Sequence, residues 1–246
     1  MSQNLNIEEI KEKFYQKLIP SGWGRVLKSF IFSGEFSKII AQLVKNSNSG
    51  DRFTPIFKDL FRAFEECPYS ELCVVIVAQE PHHEINVADG LAFSSKKLPY
   101  TPLPLSLLLQ EVNRTVYDNR KESTDGDLSR WSKQGILLLN LSLTTTIGKA
   151  NAGHYDIWKP FISYVFDWLN KYNNGLVYVF MGRKAQEWES FISDNNTKFL
   201  ISHPITGVYT KDKSWDSERV FLNVSEAVKN IYNKKLIWLY YQTEMN

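Results

Sequence analysis

The sequence predicts an α/β fold: a central four-stranded, parallel, twisted sheet flanked by helices on both faces, in a single domain spanning residues 1–246. Three observations carry that expectation. Four short runs are apolar on both faces, as strands buried in a parallel sheet are. Stretches of helical periodicity separate them, and strands alternating with helices build βαβ units. The composition is that of a packed globule: 246 residues, 43% hydrophobic, 23% charged and 14% aromatic, with neither Gly (12) nor Pro (9) enriched.

Taken in order, Glu8 to Leu18 and residues 36–46 show helical spacing, and Phe57, Leu60, Phe61 and Phe64 fall on one face of a helix. The four strands are expected at Cys73–Ala78, Ile136–Leu143, Leu176–Met181 and Lys198–Ser202. Helices are expected at Ser106–Tyr117, Asp127–Lys133, Asp156–Tyr172, Arg183–Asp194 and Ser217–Tyr232, and the polar stretch Arg120–Asp125 reads as an exposed loop. No repeat, low-complexity tract or Gly/Ser linker interrupts the chain.

Charge and cysteine usage remove several function classes. With 29 Lys+Arg against 27 Asp+Glu the formal charge is +2, so there is no polybasic arm, although a basic groove on one face remains compatible. No apolar run approaches the ~20 residues a bilayer requires, and Met1 to Lys13 lacks an apolar signal core. An intracellular protein without a membrane partner is therefore expected. Cys67 and Cys73 match no metal or redox spacing, and with only four histidines beside them no structural zinc site is expected.

The functional signal lies in where the strands end. Val75–Ala78 runs into Gln79, Glu80, Pro81, His82 and His83; Leu137–Leu139 runs into Asn140; Phe199–Ile201 runs into Ser202, His203 and Pro204. Ligands of open parallel sheets bind outside the carboxyl ends of the strands. One acid, two amides and three of the four histidines would meet there.

The same segments resemble the uracil-DNA glycosylases. Ala78-Gln79-Glu80-Pro81-His82-His83 is similar to that family's Gly-Gln-Asp-Pro-Tyr-His loop, and Ala88 through Ser94 to its Ala-His-Gly-Leu-Cys-Phe-Ser segment. Pro99 through Leu107 resembles the family's proline-rich loop, and Gly126 through Asn140 resembles its Gly-Asp-Leu-Ser to Leu-Leu-Leu-Asn stretch. Lys149-Ala150-Asn151, Gly182 through Gln186, and His203-Pro204 complete a collinear match from about Trp23 to Trp238.

The resemblance implies a glycosylase that draws a nucleotide out of the DNA stack into a pocket, a hydrolase without metal or cofactor, and a monofunctional one, since the matched motifs hold no suitably placed lysine nucleophile and so disfavour a lyase. By that likeness Phe93 stacks on the base. Asn140 reads its pairing edge, where an amide offers a donor beside an acceptor as uracil requires and cytosine does not. His203 donates to the carbonyl oxygen that gains charge as the glycosidic bond breaks. Gln79 and His82 also line the base, His83 supports the water and the DNA backbone, and Glu80 orients the attacking water and faces the cationic sugar. Ser106, Arg183 and Lys184 would contact phosphates, and Val208 or Tyr209 would wedge into the minor groove. The implied partner is uracil-containing DNA, single- or double-stranded. A proteinaceous inhibitor or a replication partner is a further expectation, and the protein is expected to be a monomer.

Three departures qualify this. Glu80 stands where the family has Asp, moving the carboxylate on the order of 1 Å, a misplacement that can cost about 10²-fold in rate; retained but slower excision is expected. His82 stands where the family has a tyrosine that excludes the thymine methyl, so tolerance of 5-substituted uracils is expected. Ile205 to Tyr209 replaces the family's wedge loop and is one residue shorter. These changes leave a second reading open: a glycosylase-like module that binds DNA or a protein without useful catalysis.

Overall fold

The computed structural model describes residues 6–95, 100–120, 125–211 and 214–239. The chain opens with three helices, α1 (Ile7–Leu18), α2 (Trp23–Ile31) and α3 (Gly34–Asn48). The Asn6 side chain caps α1 by accepting from the Glu9 N–H, and Ser33 caps α3 by accepting from Phe36 (3.3 Å). There follow β1 (Phe53–Thr54), α4 (Arg62–Glu66), β2 (Val74–Ala78), α5 (Leu103–Tyr117), α6 (Ser129–Ser132), β3 (Ile136–Asn140), β4 (Thr145–Thr146), α7 (Tyr155–Tyr172), β5 (Val177–Met181), α8 (Arg183–Gln186), β6 (Thr197–Ile201) and α9 (Val220–Tyr232).

The main sheet is parallel with strand order β3-β2-β5-β6. Every residue of β2, β3 and β5 is buried, which requires cover on both faces and explains their unbroken apolar sequences. Two aromatic clusters serve the core. One joins Phe30, Phe61, Phe64, Trp158 and Phe161 from the N-terminal helices and α7. The other joins Trp131, Phe221 and Trp238, and the Trp131 indole N–H donates to the Trp238 carbonyl (2.7 Å).

The four strands stand where the sequence put them, within a few residues, but several details differ. The β3 strand stops at Asn140 rather than Leu143, and residues 141–143 follow as bends, with Leu141 and Ser142 still bonded to the end of β2. The β6 strand is not buried on both faces: it is the open edge, and Leu200 is 47% exposed. Phe57 to Phe64 is not one helix but a 3₁₀ turn (Phe57–Asp59) followed by α4. The expected helix Arg183–Asp194 breaks after Gln186 and resumes as the turn Glu189–Phe191. The helix expected at Asp127–Lys133 has four residues, and those expected to start at Ser106, Asp156 and Ser217 start at Leu103, Tyr155 and Val220. The α2 helix was not foreseen, nor was the two-stranded antiparallel sheet that pairs Phe53 with Thr146 and Thr54 with Thr145. Residues 121–124 of the expected loop, with Pro99 of the proline-rich segment, lie outside the described residues.

Candidate active site

The carboxyl ends of β2, β3, β5 and β6 lie side by side. Asn140 closes β3 opposite Ala78 of β2, and the N–H groups of Leu141 and Ser142 then donate to the carbonyls of Ala78 and Gln79 (3.0 Å each). The Asn140 side chain is 5% exposed, and its Oδ1 meets no hydrogen-bond donor among the described residues. An unpaired buried oxygen of this kind costs about 1–3 kcal/mol, so Asn140 presents an acceptor that no other described residue uses.

Phe93 is delivered by a segment laid along the β3 edge, where the Ala92 N–H donates to the Leu138 carbonyl (3.1 Å). Phe93 itself holds φ = +64°, a left-handed conformation that is costly for an aromatic residue and is retained only where its surroundings over-determine it. Its carbonyl accepts from His82 Nε2 (3.0 Å), which fixes the His82 proton on that nitrogen; burial keeps this imidazole below the usual histidine range. The Phe93 ring lies 5.4 Å from the His203 ring, tilted by 42°.

His203 follows the edge strand β6. Its Nδ1 accepts from the Ile205 N–H (3.2 Å), which leaves the proton on Nε2. Burial, and then the neighbouring His82, push its pKa down to about 4, so near neutrality it is an uncharged donor. The close approach is made possible by Gly182 at the end of β5. Gly182 has φ = +89°, and a Cβ there would collide with Gln79 Nε2 and stand 3.1 Å from His203 Cβ. Gln79, Gly182 and His203 thus interlock the ends of three strands.

Glu80 is held by the segment that follows β4. Its Oε2 accepts from the Gly153 N–H (2.8 Å) and from the Tyr155 hydroxyl (2.7 Å). The loop supplying those donors is braced by the β1–β4 pairing and by His154, whose ring nitrogens meet the Thr144 (2.9 Å) and Thr146 (3.1 Å) hydroxyls. The Trp158 indole N–H also donates to Thr144 Oγ1 (2.7 Å). The His83 carbonyl accepts from the Gly148 N–H (2.9 Å), while its buried Nδ1 has no partner among the described residues.

The remaining candidates lie on the elements that flank these strand ends. Ser106 on α5 accepts from Gln110 (3.1 Å), and α5 packs against the turn Pro204–Tyr209. Arg183 is exposed, whereas the Lys184 ammonium sits 3.7 Å over the Tyr155 ring. Val208 packs against the core, while Tyr209 at the end of the turn is 85% exposed. Among the described residues no cluster of His, Cys, Asp or Glu could hold a metal ion, and no helix is long and apolar enough to cross a membrane.

Residues 64–232 match the family model of the Uracil DNA glycosylase superfamily. The chain belongs to that superfamily. A uracil-DNA glycosylase of Campylobacter hominis is 34% identical over 187 residues, 76% of this chain and 79% of that protein. One of Clostridium perfringens is 33% identical over 217 residues, 88% and 94% of the two chains. Among solved structures, that of mimivirus uracil-DNA glycosylase superposes with a TM-score of 0.78 at 21% identity, covering 89% of this chain and 86% of that one. A variant of the mimivirus enzyme in complex with UGI gives 0.77 at 21% identity, over 88% and 87% of the two chains.

Within this glycosylase framework the chain has a distinctive ionic support for the Phe93 loop. Asp89 stands where the resembled motif carries histidine; its side chain accepts from the Leu91 N–H (3.1 Å) and the Ser94 hydroxyl (2.7 Å). Arg62 pairs with this carboxylate at 2.7 Å and reaches Asp127 at 3.1 Å. Asp89 is 2% exposed, and removing one member of a buried pair leaves an uncompensated charge. Arg62→Ala is expected to cost about 3 kcal/mol of stability, read from denaturant unfolding; a change under about 0.5 kcal/mol, the size of an ordinary surface substitution, would refute this role.

Three residues of the site escaped sequence reasoning: Gly153, His154 and Tyr155. All sit beyond the Lys149-Ala150-Asn151 motif, where no strand end points to them. The usable signal was a glycine followed by two hydrogen-bonding aromatic side chains at the start of a helical pattern.

Proposed function

We propose that the protein hydrolyses the N-glycosidic bond of uracil in DNA and leaves an abasic site. The observation carrying this reading is the buried Asn140 Oδ1 at the end of β3, unpartnered among the described residues, together with the Phe93–His203 ring pair. An extruded uracil stacks on Phe93, its ring N–H donates to Asn140 Oδ1, and Gln79 and His82 close the pocket around it. The C1′–N1 bond breaks with its electron pair passing to the base. The negative charge that reaches the uracil carbonyl is met by the Nε2–H of neutral His203. Glu80 faces the electron-poor sugar and orients a water whose oxygen bonds to C1′ while its proton passes to the carboxylate. His83 supports that water and the DNA backbone.

Ser106, Arg183 and Lys184 are assigned to phosphates on either side of the extruded nucleotide. Tyr209 is preferred to Val208 as the wedge, since Val208 is engaged with the core and Tyr209 projects into solvent. The enzyme acts as a monomer, and a UGI-like protein inhibitor is a candidate partner, as the mimivirus complex suggests by analogy of fold.

Uracil release from an oligonucleotide tests the activity directly: turnover is expected for the parent, and binding without release would reject the hydrolase. The same assay tests the wedge. Tyr209→Ala is expected to slow excision from duplex by about 10-fold, the weight of roughly 1.4 kcal/mol of lost support for the flipped state. It should leave single-stranded substrate nearly untouched. Equal losses on both substrates would remove Tyr209 from this role.

A further inference from the structure

We propose that Gly153 and Tyr155 are a positioning pair that fits this site to a glutamate at position 80, and that they leave Oε1 as the working oxygen. The inference rests on the reading of Glu80 given above. A carboxylate one methylene longer than aspartate needs space and restraint, and the loop after β4 supplies both. The Gly153 N–H and the Tyr155 hydroxyl both donate to Oε2, at 2.8 and 2.7 Å, while nothing among the described residues donates to Oε1. A Cβ at Gly153 would stand 2.5 Å from that Oε2 and 2.8 Å from the Tyr155 ring, so any larger residue would push the carboxylate out of place. Gly153 is not in the left-handed region, so backbone freedom does not account for it; the room beside Glu80 does.

Tyr155 is fixed in turn. It begins α7, and the Lys184 ammonium lies 3.7 Å over its ring. Burial first, and then its bond to Glu80, raise the phenol's pKa well above its ordinary value, so it remains a protonated donor across the working pH range. Two donors on one oxygen localise the carboxylate's negative charge and set its plane. Tyr155 touches neither base nor sugar in this arrangement; it acts through Glu80.

The test is single-turnover uracil release with KM measured in parallel. Tyr155→Phe keeps the ring beneath Lys184 and removes only the hydroxyl. It is expected to lower the chemical rate about 10-fold with KM changed less than about 2-fold, the loss of one charge-assisted hydrogen bond. In a Glu80→Ala background the same change should have no further effect, because the hydroxyl has nothing left to hold. Gly153→Ala is expected to lose at least as much, and Glu80→Asp, slower than the parent by itself, should recover part of the loss in the Gly153→Ala background by withdrawing the carboxylate from the new methyl. A full rate in Tyr155→Phe beside a crippled Glu80→Ala would overturn the positioning pair and leave the Glu80 reading standing. A full rate in Glu80→Ala would overturn the Glu80 reading itself. An equal loss from Tyr155→Phe with and without Glu80 would show that the hydroxyl acts elsewhere, and would also reject the proposal.

Discussion

Asn140→Ala is expected to lower kcat/KM for uracil excision by about 10³-fold while leaving the fold intact. The expectation follows from the state of the amide before any substrate arrives. It is buried at the end of β3, and its Oδ1 has no donor among the described residues, so truncation breaks no hydrogen bond at that oxygen. Removing a buried polar group that the folded chain leaves unpaired costs little and can even relieve the molecule. The substrate bears the loss instead. A base inserted against alanine buries its ring N–H and carbonyl without partners, the situation in which sites built for hydrogen bonding discriminate by 10⁴–10⁵; one side chain's share of that is about 10³. Kinetics on a uracil oligonucleotide, with the unfolding midpoint measured on the same preparation, separate the two effects. A variant that loses stability and activity together would show that Asn140 is a strand cap rather than a reader.

His203→Ala is expected to cost 10²–10³-fold in kcat, the usual consequence of deleting one donor aimed at developing negative charge. The pH dependence provides the sharper check. The Ile205 N–H occupies Nδ1, so the neutral ring presents Nε2–H, and with a pKa of about 4 this form persists through the ordinary histidine range. Imidazole resonances should therefore show no titration of His203 near pH 6.5, and kcat should carry no His203 break there. Stability responds in a defined direction as well. The folded-state pKa lies below the unfolded value, so between about 4 and 6.5 the unfolded chain holds the extra proton. Stability thus rises with pH across that window and levels off above it. His82 and His154 are shifted downward by burial too, and reinforce the same trend. A His203 resonance titrating near 6.5 would defeat the neutral-donor assignment.

How much of this was legible in the sequence depends on which physical rule governed each element. The strands β2, β3 and β5 were visible because a buried parallel strand must be apolar on both faces. Gln79, Glu80, Asn140 and His203 were visible because each lies within two residues of the end of an apolar run. The edge strand β6 misled, since an apolar sequence does not say whether both faces are covered. The short α4 and α8 misled because periodicity over eight to twelve residues does not distinguish a continuous helix from a 3₁₀ turn joined to one. Gly153, Tyr155 and the Arg62–Asp89 pair were invisible for another reason: each matters through a partner more than 25 positions away, and a single sequence does not display such pairings. Glu80 viewed alone reads as a misplaced carboxylate; beside Gly153 and Tyr155 it reads as one half of a matched set.

The little antiparallel sheet has a consequence for where this enzyme begins. The family match starts at residue 64, yet Phe53 and Thr54 pair with Thr146 and Thr145, and the Arg52 carbonyl accepts from the Ile147 N–H (2.8 Å). The scaffold of the loop that grips the carboxylate therefore extends upstream of the recognisable family region. A fragment cut to that region would keep every residue with an assigned chemical role and lose the buttress that aims one of them.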